Sequence, residues 1–228
     1  MKFGSRRRAG DSRDFDSRRE GAIRPRSSTR GPSTSEAARL LPDNWEHHRY
    51  LALDVETTGL DARTCRIVEI GALIFSPAEG SFDGTRLDRL VDPGMPIPPR
   101  VTAIHGITDA DVRGAPSFAD IAHELTSLAK GAIIVAHNAP FDIGFVRSEL
   151  ARAGLPSLGG PILDSLVLAR AAFPGRASYS LPRLAAAFRI STARSHRALD
   201  DAIVAAKIFV EAGKRLRSGG PGTENEQE

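Results

Sequence analysis

Residues 50–60, Tyr-Leu-Ala-Leu-Asp-Val-Glu-Thr-Thr-Gly-Leu, form an apolar run that closes on two acids one residue apart, Asp54 and Glu56. In an extended backbone, side chains i and i+2 share a face, so both carboxylates project together while Leu51 and Leu53 turn to the other side. Two like charges held that close repel. A strand that keeps them there calls for a cation, and an all-oxygen ligand set selects a hard ion such as magnesium or manganese over zinc. Taken alone, Asp-x-Glu also describes an ordinary strand end with solvated acids. The rest of the chain decides between the two.

With 228 residues, 41% of them hydrophobic, the chain has the length of one ordinary domain with tails. No apolar run approaches the ~20 residues of a membrane helix, and the N-terminus lacks the apolar stretch of a signal peptide. Cys65 is the single cysteine, which leaves no internal disulfide and no CxxC zinc site. A soluble protein in the cytoplasm is expected. Charge is uneven: residues 1–49 hold 12 Lys and Arg against 7 Asp and Glu, and the remainder holds 19 against 21. Residues 1–44 read as a disordered basic arm and lead-in, either a source of sequence-independent attraction to nucleic-acid phosphates or a solubilising leader. Asp11, Asp14, Asp16 and Glu20 count against a mitochondrial transit peptide, since such peptides are acid-poor. The domain is expected over 45–213, with Trp45 anchoring its start, and 214–228 read as a disordered tail.

Strands are expected within 50–60, ending in the two carboxylates, at 66–76 and at 85–91, joined by short turns into an antiparallel meander. Pro93, Pro96, Pro98 and Pro99 punctuate an irregular segment. A helix begins at the N-cap Ser117, with Phe118, Ile121, Leu125 and Leu128 at helical spacing, and stops at Gly131. Beyond it, strands at 132–136 and 161–163 alternate with helices at 140–153, 164–173, 181–188 and 196–215. Such alternation implies parallel strands with helices packed on the sheet.

Two further groups carry chemistry. Asp142 in His137-Asn138-Ala139-Pro140-Phe141-Asp142 sits on the first turn of its helix, where an acid is favoured by the helix dipole whatever else it does. Its strand end faces the same way as that of Asp54 and Glu56, and ligands of open α/β sheets gather at the carboxyl ends of strands. His196 precedes Asp201 by five residues in Ser195-His196-Arg197-Ala198-Leu199-Asp200-Asp201, so the acid lies about one turn inside the final helix and the imidazole at its mouth. Four carboxylates and a histidine at strand ends and helix heads are what a two-metal phosphodiesterase requires.

On these residues the sequence resembles the DEDDh 3′→5′ exonucleases, the DnaQ-like group that includes the epsilon subunit of bacterial DNA polymerase III. Asp-Val-Glu-Thr-Thr-Gly-Leu matches the first motif, His-Asn-Ala-Pro-Phe-Asp the second and His-x-Ala-Leu-x-Asp-Ala the third, in order. His105-Gly-Ile-Thr108 and Asp164-Ser-Leu resemble intermediate landmarks, and the likeness covers roughly residues 48–212. It implies an α/β, ribonuclease H-like fold, a mixed β-sheet flanked by α-helices. It implies Asp54, Glu56, Asp142 and Asp201 as ligands of two divalent metal ions, Mg2+ or Mn2+, and His196 as general base. Thr57, Leu60, Ile104 and His105 are implied to meet the terminal nucleotide, with Asn138 supporting the site.

The chemistry agrees. A phosphodiester is an anion that repels hydroxide, and two cations ~4 Å apart can stabilise the attacking and leaving oxygens together, while an imidazole that titrates near neutrality takes the proton. Removal of nucleoside 5′-monophosphates from a free 3′ end is expected, in proofreading, repair or turnover. Glu56-Thr57-Thr58-Gly59-Leu60, where oligoribonuclease relatives carry Glu-Met-Thr-Gly-Leu, favours DNA over an RNA-directed enzyme of the same fold. A metal-dead binding relative would lack one of the five residues. The C-terminal tail offers no apolar, Gln-led sliding-clamp peptide, which leaves a stand-alone enzyme and a DNA polymerase subunit both open.

Overall fold

The computed structural model describes residues 31–191 and 196–218. Five strands form one mixed sheet: β1 (Tyr50–Thr57), β2 (Ile67–Phe75), β3 (Arg86–Leu90), β4 (Ile133–Ala136) and β5 (Ile162–Asp164), in the order β3-β2-β1-β4-β5. β1 pairs antiparallel with β2, and β2 with β3, as the short turns require. β4 joins β1 in parallel and β5 joins β4 in parallel, each across a helical connection. β1 is therefore central and buried at every position. The edge strand β3, Arg-Leu-Asp-Arg-Leu, turns Leu87 inward and charges outward, which blunts the edge against further pairing.

Seven helices flank the sheet among the described residues: α1 (Thr34–Ala38), α2 (Pro99–His105), α3 (Phe118–Ala129), α4 (Ala139–Arg152), α5 (Ser165–Ala172), α6 (Leu181–Ala187) and α7 (Ala198–Arg217). The alternation of β1 sorts them. Leu51, Leu53 and Val55 pack with Phe118, Leu125, Phe145 and Leu150 of α3 and α4. Tyr50 and Ala52 pack with Leu168, Ala202 and Phe209 of α5 and α7. Asp54 and Glu56 continue the second row, so both carboxylates point toward the face covered by α7. The expected α/β sandwich is present, and no helix is long and apolar enough to cross a membrane among the described residues.

The structure differs from the sequence reading in four places. The proline-rich stretch holds a helix, α2, because Pro99 occupies its first position, where no N–H is needed, and Gly106 at φ 75 ends it. The end of the arm expected to be disordered instead forms α1, closed by a Ser33–Glu36 capping box, with Ala37 buried. The final helix continues past residue 215 to Arg217, whose guanidinium donates to the carbonyls of Leu41 and Pro42 at 2.9 Å each. Its head lies later as well, at Ala198, which leaves His196 ahead of the helix. The rest of the expected arm, residues 1–30, and the tail beyond 218 lie outside the described residues. Trp45 does anchor the domain start: its ring sits so close to Gly213 that a Cβ there would come within 2.6 Å of it.

Candidate active site

β4 pairs with β1 only as far as Ala52, opposite Val135, and then the chain turns into α4. The β4-side backbone of β1 is open beyond that point, and the Asp142 carboxylate, on the first turn of α4, takes the N–H of Val55 at 3.1 Å. The turn itself is held by Asp164 at the end of β5. Its carboxylate accepts from the backbone N–H groups of Asn138 (3.0 Å), Ala139 (3.1 Å) and Leu166 (2.9 Å), so a single acid fastens the heads of α4 and α5 to one another. Asn138, at φ 65, makes the sharp entry into α4, a conformation that asparagine tolerates better than most residues. Burial pushes the Asp164 carboxyl up, and the backbone donors pull it back.

The other wall comes from α7. Gly71 lies opposite Asp54 in the β1–β2 register. A Cβ at residue 71 would come within 2.1 Å of Leu199 N, so only glycine lets the head of α7 lie directly on the sheet beside the carboxylates. Glu69 lies opposite Glu56 and would add a third charge, but it is paired. Arg197 Nε donates to it at 2.8 Å, and Ala198 N–H, at the helix start, donates at 3.0 Å. A buried acid with a two-donor arginine and a backbone N–H fixes the segment between strand and helix. His196 adopts φ 61, and its N–H donates to Asp201 Oδ2 at 3.2 Å, which ties the imidazole-bearing residue to the acid one turn on.

The outcome is convergence. One ligand atom each from Glu56, His196 and Asp201 lie within 4.8 Å of one another. Asp54, Glu56, Asp142 and Asp201 are 3%, 0%, 2% and 8% exposed. Carboxylates are seldom buried so completely unless paired or coordinating, and an acid-rich donor set around one histidine fits divalent ions. Of the residues expected to meet substrate, Thr57 is buried with its hydroxyl donating to Gly59 O at 2.6 Å, and Leu60 stands exposed at the turn. Ile104 is half-buried; His105 is buried at the end of α2, its Nδ1 accepting from Ile107 N–H at 3.0 Å. Sequence reasoning singled out Asp164 only as a landmark of the resemblance, and it missed Glu69, Arg197 and Gly71, which hold the site together, and Met95, whose sulfur lies 3.8 Å from Thr58 Oγ1 at the same strand end.

The chain is similar to known exonucleases. The exonuclease family model, RNase_T, matches residues 51–209. The chain is 39% identical over 166 residues to the DNA polymerase III subunit epsilon of Treponema pallidum, covering 72% of this chain and 76% of that protein. It is 33% identical to a PolC-type DNA polymerase III of Caldanaerobacter subterraneus, of which it spans only 12%. Among solved structures, exonuclease X in complex with 5′ overhanging duplex DNA superposes with a TM-score of 0.58 at 29% identity, over 77% of this chain and 95% of that one. E. coli exonuclease I in complex with a dT13 oligonucleotide shares the fold with a TM-score of 0.66 at 20% identity, over 75% of this chain and 42% of that one. A buried cluster of acids beside a histidine, on a sheet of this order and with these relatives, has one meaning: the chain belongs to the exonuclease family, as a hydrolytic 3′→5′ exonuclease of the DnaQ, epsilon-subunit type.

Proposed function

We propose that Asp54, Glu56, Asp142 and Asp201 hold two Mg2+ or Mn2+ ions, that His196 is the general base, and that the enzyme trims DNA from its 3′ end to nucleoside 5′-monophosphates. The observation that carries the reading is the convergence of Glu56, His196 and Asp201 within 4.8 Å, walled by two further buried carboxylates. When bound, such ions neutralise the phosphodiester and stabilise charge on the attacking and leaving oxygens. The chain's own residues do the rest. His196 takes the proton of the attacking water, and its partly open position ahead of α7 lets it pass that proton to solvent. Glu69 holds Arg197 and Ala198 so that His196 and Asp201 approach the strand as one unit.

Leu60 and Met95 are 41% and 39% exposed, and they are two of the three exposed large apolar side chains among the described residues. Both lie at the carboxyl end of β1, where they offer an apolar rest for the terminal base. In this reading Thr57 and the backbone of its turn meet the sugar, and Ile104 and His105 line the base pocket. DNA is favoured because a relative matched over most of both chains is a DNA polymerase III subunit and exonuclease X was solved on duplex DNA. Proofreading or repair in the cytoplasm suits such an enzyme, alone or beside a polymerase.

The test uses 5′-labelled single-stranded DNA, mismatched duplex and RNA of equal length. Stepwise shortening from the 3′ end, nucleoside 5′-monophosphate as product, abolition by chelator and silence of Asp54→Asn are expected. Internal cleavage, release from the 5′ end, or undiminished hydrolysis by Asp54→Asn would refute the assignment, and faster loss of RNA than DNA would move the substrate.

A further inference from the structure

Glu56, His196 and Asp201 offer something the four-carboxylate arrangement does not use: two carboxylate oxygens and one imidazole nitrogen mutually within 4.8 Å. Magnesium demands octahedral oxygen ligands and keeps much of its water, so the nitrogen serves it poorly. Zinc takes imidazole nitrogen and carboxylate oxygen together at about 2.0–2.2 Å, which sets ligand atoms in a tetrahedral site roughly 3.4 Å apart. The 4.8 Å bound on the three donor atoms is compatible with that spacing. His196 lies ahead of the helix, at φ 61. Its Nδ1 is shielded from solvent and has no hydrogen-bond partner among the described residues. Its neighbours Arg197 and Ala198 are fastened to Glu69, so the three donors are brought together by the fold before any ion arrives.

We infer that Glu56, His196 and Asp201 form a mixed nitrogen–oxygen site for a borderline transition ion of the zinc class, and that filling it switches the nuclease off by engaging the imidazole. The inference rests on His196 being the base of the proposed function. Both states use the same side chain: with oxygen-seeking ions the imidazole is left to accept a proton, and with a nitrogen-seeking ion its lone pair is committed. The affinity of such donor sets rises along the divalent series from manganese through cobalt, and zinc exceeds manganese. Zinc therefore acts at concentrations far below those at which magnesium supports turnover.

Cobalt(II) is the probe, added to the full chain without nucleic acid and followed by its visible absorption. The parent should bind one equivalent with the strong bands of a low-coordinate nitrogen-ligated ion, released by stoichiometric zinc and not by excess magnesium. His196→Gln should weaken cobalt binding by about tenfold or more, whereas Asp142→Asn, which removes an acid outside the triad, should not. Zinc should likewise arrest the magnesium-supported reaction of the parent. Equal cobalt affinity in parent and His196→Gln, an equal loss in Asp142→Asn, or no cobalt bands at all would overturn the inference. Histidine resonances of the unaltered protein give the same answer without substitution: stoichiometric zinc shifts one imidazole that magnesium leaves alone, and no such shift is a refutation. A parent inactive with magnesium yet binding cobalt through His196 would refute the proposed function and leave the metal site standing.

Discussion

His137 shows how a histidine beside the site is kept out of the chemistry. Its Nε2–H donates to the Tyr179 carbonyl at 2.8 Å, and its Nδ1 accepts from the Ser165 hydroxyl at 2.9 Å, so both ring nitrogens are committed. Burial pushes the imidazole down to about 4. The consequence for stability has a definite sign. Above the ordinary value near 6.5 both folded and unfolded forms are neutral; between 6.5 and about 4 only the unfolded chain takes up the proton, so stability falls as pH falls through that window. The full shift corresponds to roughly 3 kcal/mol. Thermal unfolding followed from pH 7 to pH 4 should show this loss in the parent, and His137→Gln should flatten it; an unchanged slope in the variant would place the acid sensitivity elsewhere. His196 is held differently, its backbone N–H donating to Asp201. Its left-handed conformation had no signal in the sequence, because a non-glycine residue at positive φ is imposed by its surroundings. The histidine's membership in the site was legible; its position ahead of the helix was not.

At the scale of elements, the acids were readable because strand and helix periods are regular. Asp54 and Glu56 follow from the two-residue repeat of β1, and Asp201 from the spacing inside α7. What holds them was hidden. Glu69 sits in Val68-Glu69-Ile70-Gly71, which reads as a polar position and a weak point in a strand, and only the tertiary contact with α7 gives both residues their meaning. Prolines concealed α2 for a related reason: Pro99 breaks a helix interior but begins one well. The fastening of α7 to β2 can be tested. Glu69→Gln keeps the shape and loses the charge that binds Arg197, so kcat should drop roughly 10–100-fold, the usual effect of removing a group that orients a metal-site residue, with KM little changed. Gly71→Ala should cost more, because the added Cβ overlaps the backbone at Leu199 and displaces the helix head. Full activity in Gly71→Ala would show that the close approach of α7 is not needed for catalysis.

The whole molecule is a mixed sheet whose two faces are divided between packing and chemistry. α3 and α4 bury the face of Leu51, Leu53 and Val55, while α5 and α7 seal the face of Tyr50 and Ala52 until the row turns acidic at Asp54. The meander followed by parallel strands was legible because turn lengths dictate pairing direction. The helix α1 was not, since five residues with one buried alanine give too little pattern to read. The central claim is the proposal that His196 and Asp201, neighbours on one segment, have separate tasks, the first as base and the second as metal ligand. Single-turnover release of the 3′-terminal nucleotide at saturating magnesium, compared among the parent, His196→Gln and Asp201→Asn, tests it most directly. The account predicts a fall of about 10²–10⁴-fold for His196→Gln, the range expected for a lost general base, and no release by Asp201→Asn at any magnesium concentration. A near-parental rate in either variant would contradict it.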